Sequence, residues 1–115
     1  MSQKIYHNPR CSKSRDTLKL LEAHGIKPEI IEYLKIPFTA AELQEILHKL
    51  GMKPRELMRT KEPEYRENIL DDESLSDDEL IAAMIRMPKL IERPIVVLGD
   101  KAVVGRPPEN VLKII

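Results

Sequence analysis

The single cysteine of this 115-residue chain lies within the stretch HNPRCSKSR, residues 7–15. Cys11 follows an Asn-Pro turn signal and precedes a helical pattern, so we expect it at a helix N-terminus, among unpaired backbone N–H groups and the positive end of the dipole. Arginine, lysine and serine side chains flank it. Because cations and N–H donors lower a thiol pKa from its usual ~8.5, the pattern predicts a reactive thiolate rather than a buried, inert cysteine.

A thiolate in this position could attack the central atom of a bound oxyanion. Helix N-termini bind phosphate-like groups through backbone N–H donors, and arginine adds bidentate contacts. The phosphatase loop would require arginine at position 17, which is Thr17, so any arginine clamp must come from elsewhere. Arg59, Arg93 and Arg106 are the candidates. Arg93 precedes Pro94 at the start of a predicted strand, and Arg106 precedes Pro107 at the end of the predicted hairpin. Sequence spacing does not show that they converge, and solvated surface charges are the alternative interpretation.

The elements that must position these residues follow the order β-α-β, several helices, then β-β-α. KIYH and EIIEYL predict strands around the helix SKSRDTLKLLEAHG. Two capping boxes, Thr39 with Glu42 and Ser76 with Glu79, begin helices in the middle of the chain. PIVVL and KAVVG form a hairpin pattern around Gly-Asp, and PPENVLKII predicts a terminal helix. We therefore predict one α/β domain, 1–115, with a helical insertion at about 36–89 between segments of about 1–35 and 90–115.

Composition excludes several classes of function. Lys plus Arg equals Asp plus Glu at 19 each, so the basic excess expected for coating nucleic acid or a membrane is missing. The apolar runs are too short to span a bilayer, and the N-terminal residues lack the apolar core of a signal peptide. A lone cysteine with three scattered histidines has no metal-ligand spacing. These features predict a cytoplasmic protein, by default a monomer, with no metal, nucleic acid or membrane partner.

Four separated motifs resemble the glutaredoxin-coupled arsenate reductase family: IYHNPRCSKSR, ELMRTKEP, ERPIVV and GRPPENVL. The resemblance covers essentially the whole chain and implies a thioredoxin-like fold with a helical insertion. It implies that Cys11 is the nucleophile and that Arg59, Arg93 and Arg106 hold the oxyanion. It also implies that the thiolate is supported by His7, Ser14 and Arg15. Pro94 matches the cis-proline position, which lies opposite the active-site loop.

The implied reaction is the reduction of arsenate by a thiol. Cys11 attacks arsenic and forms a covalent adduct, and the arginines stabilise charge on the oxygens. Reduction to arsenite needs two electrons, and a chain with one cysteine cannot supply them as an internal disulfide. An external thiol is therefore required, which in the family is glutathione, with glutaredoxin regenerating the enzyme. No bound cofactor is implied.

Two alternatives stay open. One is a glutathione-dependent thiol oxidoreductase that acts on another substrate. The other is a regulator of the Spx type, which binds RNA polymerase and senses oxidants through a C-x-x-C pair. Here Ser14 takes the place of the second cysteine, so that disulfide switch cannot form.

Overall fold

The computed structural model describes residues 3–115. The chain divides into two compact units, one formed by Met1–Ile36 with Arg93–Ile115 and the other by Pro37–Glu92. We call them the sheet unit and the helical unit. The order of elements is strand, helix, strand, a series of helices, two strands and a final helical segment, which confirms the predicted order.

The sheet unit is built on a four-stranded sheet with the strand order β2-β1-β3-β4. Its elements are β1 (Gln3–Tyr6), α1 (Ser12–Ala23), β2 (Glu29–Ile31), β3 (Ile95–Leu98), β4 (Lys101–Val104) and a terminal 3-10 helix (Pro108–Lys113). β1 runs parallel to β2 and antiparallel to β3, and β3 and β4 form the predicted antiparallel hairpin. Two predictions need correction, because β2 ends well before the end of EIIEYL and the terminal helix is 3-10 rather than α.

One apolar cluster holds these elements together. Ile5 of β1, Leu21 of α1, Val96 of β3 and Val111 of the terminal helix are each 0% exposed and pack in a single core. Burying side chains of this size contributes about 1.5–3 kcal/mol each. The helix that begins next to Cys11 and the strand that follows Arg93 therefore rest on the same core.

The helical unit contains α2 (Ala40–Leu50), α3 (Pro63–Glu67), α4 (Asp77–Arg86) and two 3-10 helices, Pro54–Leu57 and Pro88–Leu90. Both predicted capping boxes are confirmed at the starts of α2 and α4. At α2 the Glu42 N–H donates to Thr39 Oγ1 at 3.1 Å, and the Thr39 N–H donates to Glu42 Oε1 at 3.0 Å. None of the helices within residues 3–115 combines the length and apolar character needed to cross a membrane.

Candidate active site

Cys11 is the N-cap residue of α1, with an extended backbone at φ −94° and ψ 122°. Its N–H donates to the carbonyl of Asn8 at 3.0 Å, and its own carbonyl accepts the first helical N–H, that of Arg15, at 3.0 Å. The Asn8 side chain closes the turn by accepting the Arg10 N–H at 3.0 Å. The prediction that Cys11 lies between a turn and the first turn of a helix is confirmed.

The surroundings of Cys11 favour the thiolate. Partial burial is the largest single influence on the Cys11 pKa and raises it, but four contacts together outweigh it. In decreasing order they are the Ser14 N–H, the positive charge of Arg93, the Lys13 N–H and a hydrogen bond from Arg93. The pKa of Cys11 therefore lies below that of an ordinary cysteine, as helix N-termini and nearby cations produce in reactive thiols.

Two of the three predicted arginines lie beside this sulfur. Arg106 Nη1 is 4.0 Å from Cys11 Sγ, and Arg93 is near enough to hydrogen-bond the thiolate. The Nε and Nη1 atoms of Arg93 are buried, and they have no hydrogen-bond partner among the described residues. Because a buried donor without a partner costs about 1–3 kcal/mol, an acceptor-rich ligand would be stabilised there.

Each of these arginines precedes a proline. The Arg93–Pro94 and Arg106–Pro107 peptide bonds are both cis, so Pro94 has the isomer that the family resemblance implied for its position. The Gly105 N–H donates to the Pro94 carbonyl at 2.8 Å. This bond joins the two arginine-bearing segments to each other.

His7 and Ser14 form a buried pair behind the cysteine loop. His7 Nδ1 lies 2.6 Å from Ser14 Oγ, and the same hydroxyl accepts the Asn8 N–H at 3.1 Å. Burial lowers the His7 pKa and Arg15 lowers it further, while Glu32 opposes them in part. His7 is therefore mainly neutral at pH 7 and adds little positive charge beside the thiolate.

Ser14 reaches the sulfur through its backbone and not through its side chain. Its hydroxyl is engaged by His7 and Asn8, and its backbone N–H is the group that reaches Cys11. Arg15 braces the loop, because its Nη1 donates to the Pro9 carbonyl at 2.9 Å. The side chains that flank Cys11 in sequence therefore shape the loop, whereas backbone N–H groups and a distant arginine stabilise the thiolate.

Arg59 belongs to the helical unit. Its Nη1 pairs with Glu62 Oε1 at 2.6 Å, and its N–H donates to the Leu90 carbonyl at 2.6 Å. A second backbone hydrogen bond joins the same two segments: the Glu92 N–H donates to the Leu57 carbonyl at 2.9 Å. The predicted part of Arg59 in holding an oxyanion stays a prediction.

Thr17 and Gly105 lie beside the arginine-bearing segments, and the sequence patterns did not single them out. Thr17 is 0% exposed, and its hydroxyl donates to the Lys13 carbonyl at 2.7 Å. The sequence offered one signal for Thr17: a hydroxyl residue that falls between the apolar positions on the buried face of a predicted helix. For Gly105 the signal was its place directly before Arg106.

The fold and its strand order define a thioredoxin-like α/β protein with a cysteine at the N-terminus of its first helix. Residues 6–114 match the model of the ArsC family. The chain belongs to the ArsC family.

Relatives over the full length of the chain support this assignment. The chain is 58% identical over 113 residues to the uncharacterized protein YfgD of Escherichia coli (strain K12), with 97% of this chain and 95% of that protein covered. It is 53% identical over 116 residues to a protein named arsenate reductase from Haemophilus influenzae, with 100% of both covered. A solved structure of arsenate reductase from Vibrio cholerae matches with a TM-score of 0.96 at 54% identity, covering 100% of this chain and 98% of that one.

Proposed function

We propose that this protein is an arsenate reductase in which the Cys11 thiolate attacks arsenic. The observation that carries the proposal is the pair of buried Arg93 donors, Nε and Nη1, which have no partner among the described residues and belong to the guanidinium that contacts Cys11. A tetrahedral oxyanion supplies acceptors for such donors and an electrophilic centre for the sulfur. Relatives named arsenate reductase at 50–53% identity support arsenate as that oxyanion.

The first step joins sulfur to arsenic. The thiolate of Cys11 forms an As–S bond, and one arsenate oxygen leaves as water after it is protonated. Arg93 and Arg106 stabilise the negative charge on the remaining oxygens as bonding at arsenic changes. Arg59 is proposed as a third arginine for the oxyanion, on the strength of the ELMRTKEP motif.

The second step transfers two electrons to arsenic. Arsenate and two thiols give arsenite, one disulfide and water. Cys11 is one of the two thiols, and because the chain has no other cysteine, the other must be external. We propose glutathione for this role, which leaves Cys11 in a mixed disulfide with glutathione. Glutaredoxin then reduces that disulfide and restores the Cys11 thiol.

The remaining predicted site residues act on the loop. His7 and Ser14 hold the loop so that the Ser14 N–H points at the sulfur, and Arg15 braces it from the Pro9 carbonyl. Pro94, which directly follows Arg93 through a cis peptide bond, is proposed to help position the Arg93 side chain at the thiol. No bound cofactor takes part. The proposed setting is the cytoplasm, where the glutathione pool keeps a lone thiol reduced, and the proposed active form is the monomer.

A coupled assay with NADPH, glutathione reductase, glutathione and glutaredoxin tests the choice of reductant. We expect arsenate-dependent oxidation of NADPH with the wild type, none with Cys11→Ser, and a large loss when glutaredoxin or glutathione is omitted. Equal rates with and without glutaredoxin would contradict its role. Cys11-dependent reduction of a model mixed disulfide without any turnover of arsenate would favour the thiol oxidoreductase that acts on another substrate.

A further inference from the structure

We propose that Thr17 and Gly105 are positioning residues, which set the segments that carry Arg93 and Arg106 at a fixed distance from α1 and thereby hold both guanidinium groups on Cys11. The proposal rests on the proposed function, because it assigns these two residues to the same oxyanion site. Neither residue touches the sulfur. Their effect passes through the backbone of the two arginine-bearing segments.

Three parts of the sheet unit meet at one buried point. Thr17 lies on α1, Gly105 directly follows β4, and Pro94 directly precedes β3. Thr17 Oγ1 donates to the Lys13 carbonyl at 2.7 Å and lies 3.3 Å from the Gly105 carbonyl, so its single hydrogen is shared between them. The Gly105 N–H donates to the Pro94 carbonyl at 2.8 Å. We call Thr17, Gly105 and Pro94 the junction.

The junction has no room for a side chain at position 105. A Cβ built on Gly105 would lie 2.6 Å from Thr17 Oγ1, 2.9 Å from Thr17 Cγ2 and 3.0 Å from Pro94 Cγ. These separations are well inside ordinary van der Waals contact, and the Thr17 side chain is held in place by its bond to Lys13. Gly105 is not among the glycines with positive φ. Glycine is therefore needed here for the close approach and not for an unusual backbone conformation.

Both arginines are direct sequence neighbours of the junction. Arg93 precedes Pro94, and Arg106 follows Gly105. Cys11 begins the same helix that carries Thr17. A Cβ at position 105 requires a shift in the junction, and we expect α1 and the two segments to move apart, which would carry both guanidinium groups away from the sulfur. A displacement of about 1 Å in a reacting site is enough to lower rates by ~10²-fold.

The test compares Gly105→Ala, Thr17→Ala and the double variant, which lacks both Thr17 atoms that an alanine at position 105 would meet. The first readout is the pH dependence of Cys11 alkylation by iodoacetamide, which needs no arsenate. The second is the split between KM and kcat for arsenate. Val111→Ala, a core substitution in the same unit but outside the junction, serves as the control for lost stability.

For Gly105→Ala we expect the alkylation midpoint to move toward that of the unfolded chain and KM to rise by ~10-fold or more. The double variant should resemble Thr17→Ala more than Gly105→Ala, and Val111→Ala should keep the wild-type midpoint despite a lower Tm. If Gly105→Ala alone does not fold, Thr17→Ala decides: an alkylation midpoint above that of the wild type, not shared by Val111→Ala, would support the proposal, and a wild-type midpoint would overturn it.

Unchanged midpoint and KM in a destabilised Gly105→Ala protein would overturn the proposal, because the junction would then be packing alone. A double variant as impaired as Gly105→Ala would also overturn it, since the contact with Thr17 would not be the cause. If the wild type does not turn over arsenate, the proposed function fails while the alkylation midpoints still decide the role of the junction.

Discussion

The Nδ1 atom of His7 lies 2.6 Å from the hydroxyl oxygen of Ser14, and both side chains are buried. His7 follows the end of β1, while Ser14 lies in the first turn of α1 and directs its backbone N–H to the Cys11 sulfur. The pair therefore connects the central sheet to the thiolate loop. Because the imidazole is mainly neutral at pH 7, we predict that His7 influences the thiol by fixing the position of Ser14.

Replacing Ser14 with alanine tests this connection. The change leaves the Asn8 N–H and His7 Nδ1 without their shared partner, and an unsatisfied buried polar group costs about 1–3 kcal/mol. We expect the free energy of unfolding to fall by about that amount in urea, and the Cys11 alkylation midpoint to rise as the loop loosens. Ser12→Ala, at an exposed neighbouring position, is the matched control. Equal behaviour of the two variants would show that the Ser14 hydroxyl does not hold the loop.

His7 predicts a pH dependence of stability with a definite sign. Its folded-state pKa is below the unfolded value of 6.5, chiefly because of burial, so the unfolded chain binds more protons between those two values. The contribution of neutral His7 to the free energy of unfolding is fully present above pH 6.5 and is lost as the pH falls through the folded-state pKa. Urea unfolding between pH ~7.5 and ~5 should therefore show falling stability. The decline should be shallower in His7→Gln and retained in His24→Gln, and a wild-type slope in His7→Gln would contradict this account.

Arg93 should be required for arsenate turnover but not for the stability of the fold. Its buried Nε and Nη1 have no partner among the described residues, so Arg93→Met removes an unsatisfied group and places an apolar side chain in the same space. We expect the free energy of unfolding to be unchanged or to increase by up to ~1–3 kcal/mol, with loss of arsenate turnover. The Cys11 alkylation midpoint should also rise, because Arg93 lowers the thiol pKa.

The control for Arg93→Met is Arg66→Met, at an exposed position in α3, which should leave turnover and the midpoint unchanged. Arg106→Met should impair turnover with a smaller shift of the midpoint, since Arg106 Nη1 is 4.0 Å from the sulfur. A strong loss of stability in Arg93→Met would mean that the guanidinium supports the fold rather than a ligand.

Local patterns in the sequence were enough to predict the helix start at Cys11, the capping boxes at Thr39 and Ser76, and the β3–β4 hairpin. Each of these depends on residues within a few positions of one another, whose hydrogen bonds form within the same turn. The strand predicted over EIIEYL extended too far, because hydrophobicity alone does not reveal where pairing ends. β1 pairs with β2 over residues 29–31, and Tyr33 is buried beyond the end of the strand.

The chemistry of the site depended on contacts that sequence spacing does not contain. The approach of Arg93 and Arg106 to Cys11 joins positions more than 80 residues apart in the chain and follows from the sheet order. The burial that makes His7 neutral comes from the fold, not from its neighbours in sequence. The contact between Thr17 and Gly105 was not predicted, because sequence patterns do not show how little space separates the two residues.

The central claim, that the Cys11 thiolate reduces arsenate, is tested most directly by measuring the arsenite formed. Reduced wild type and Cys11→Ser, both shown to be folded, would be incubated with arsenate and glutathione plus glutaredoxin, and arsenite would be quantified by chromatographic separation of the arsenic species. We predict catalytic amounts of arsenite with the wild type and background amounts with Cys11→Ser. Arsenite at background levels with the folded wild type, or equal amounts with both proteins, would contradict the claim.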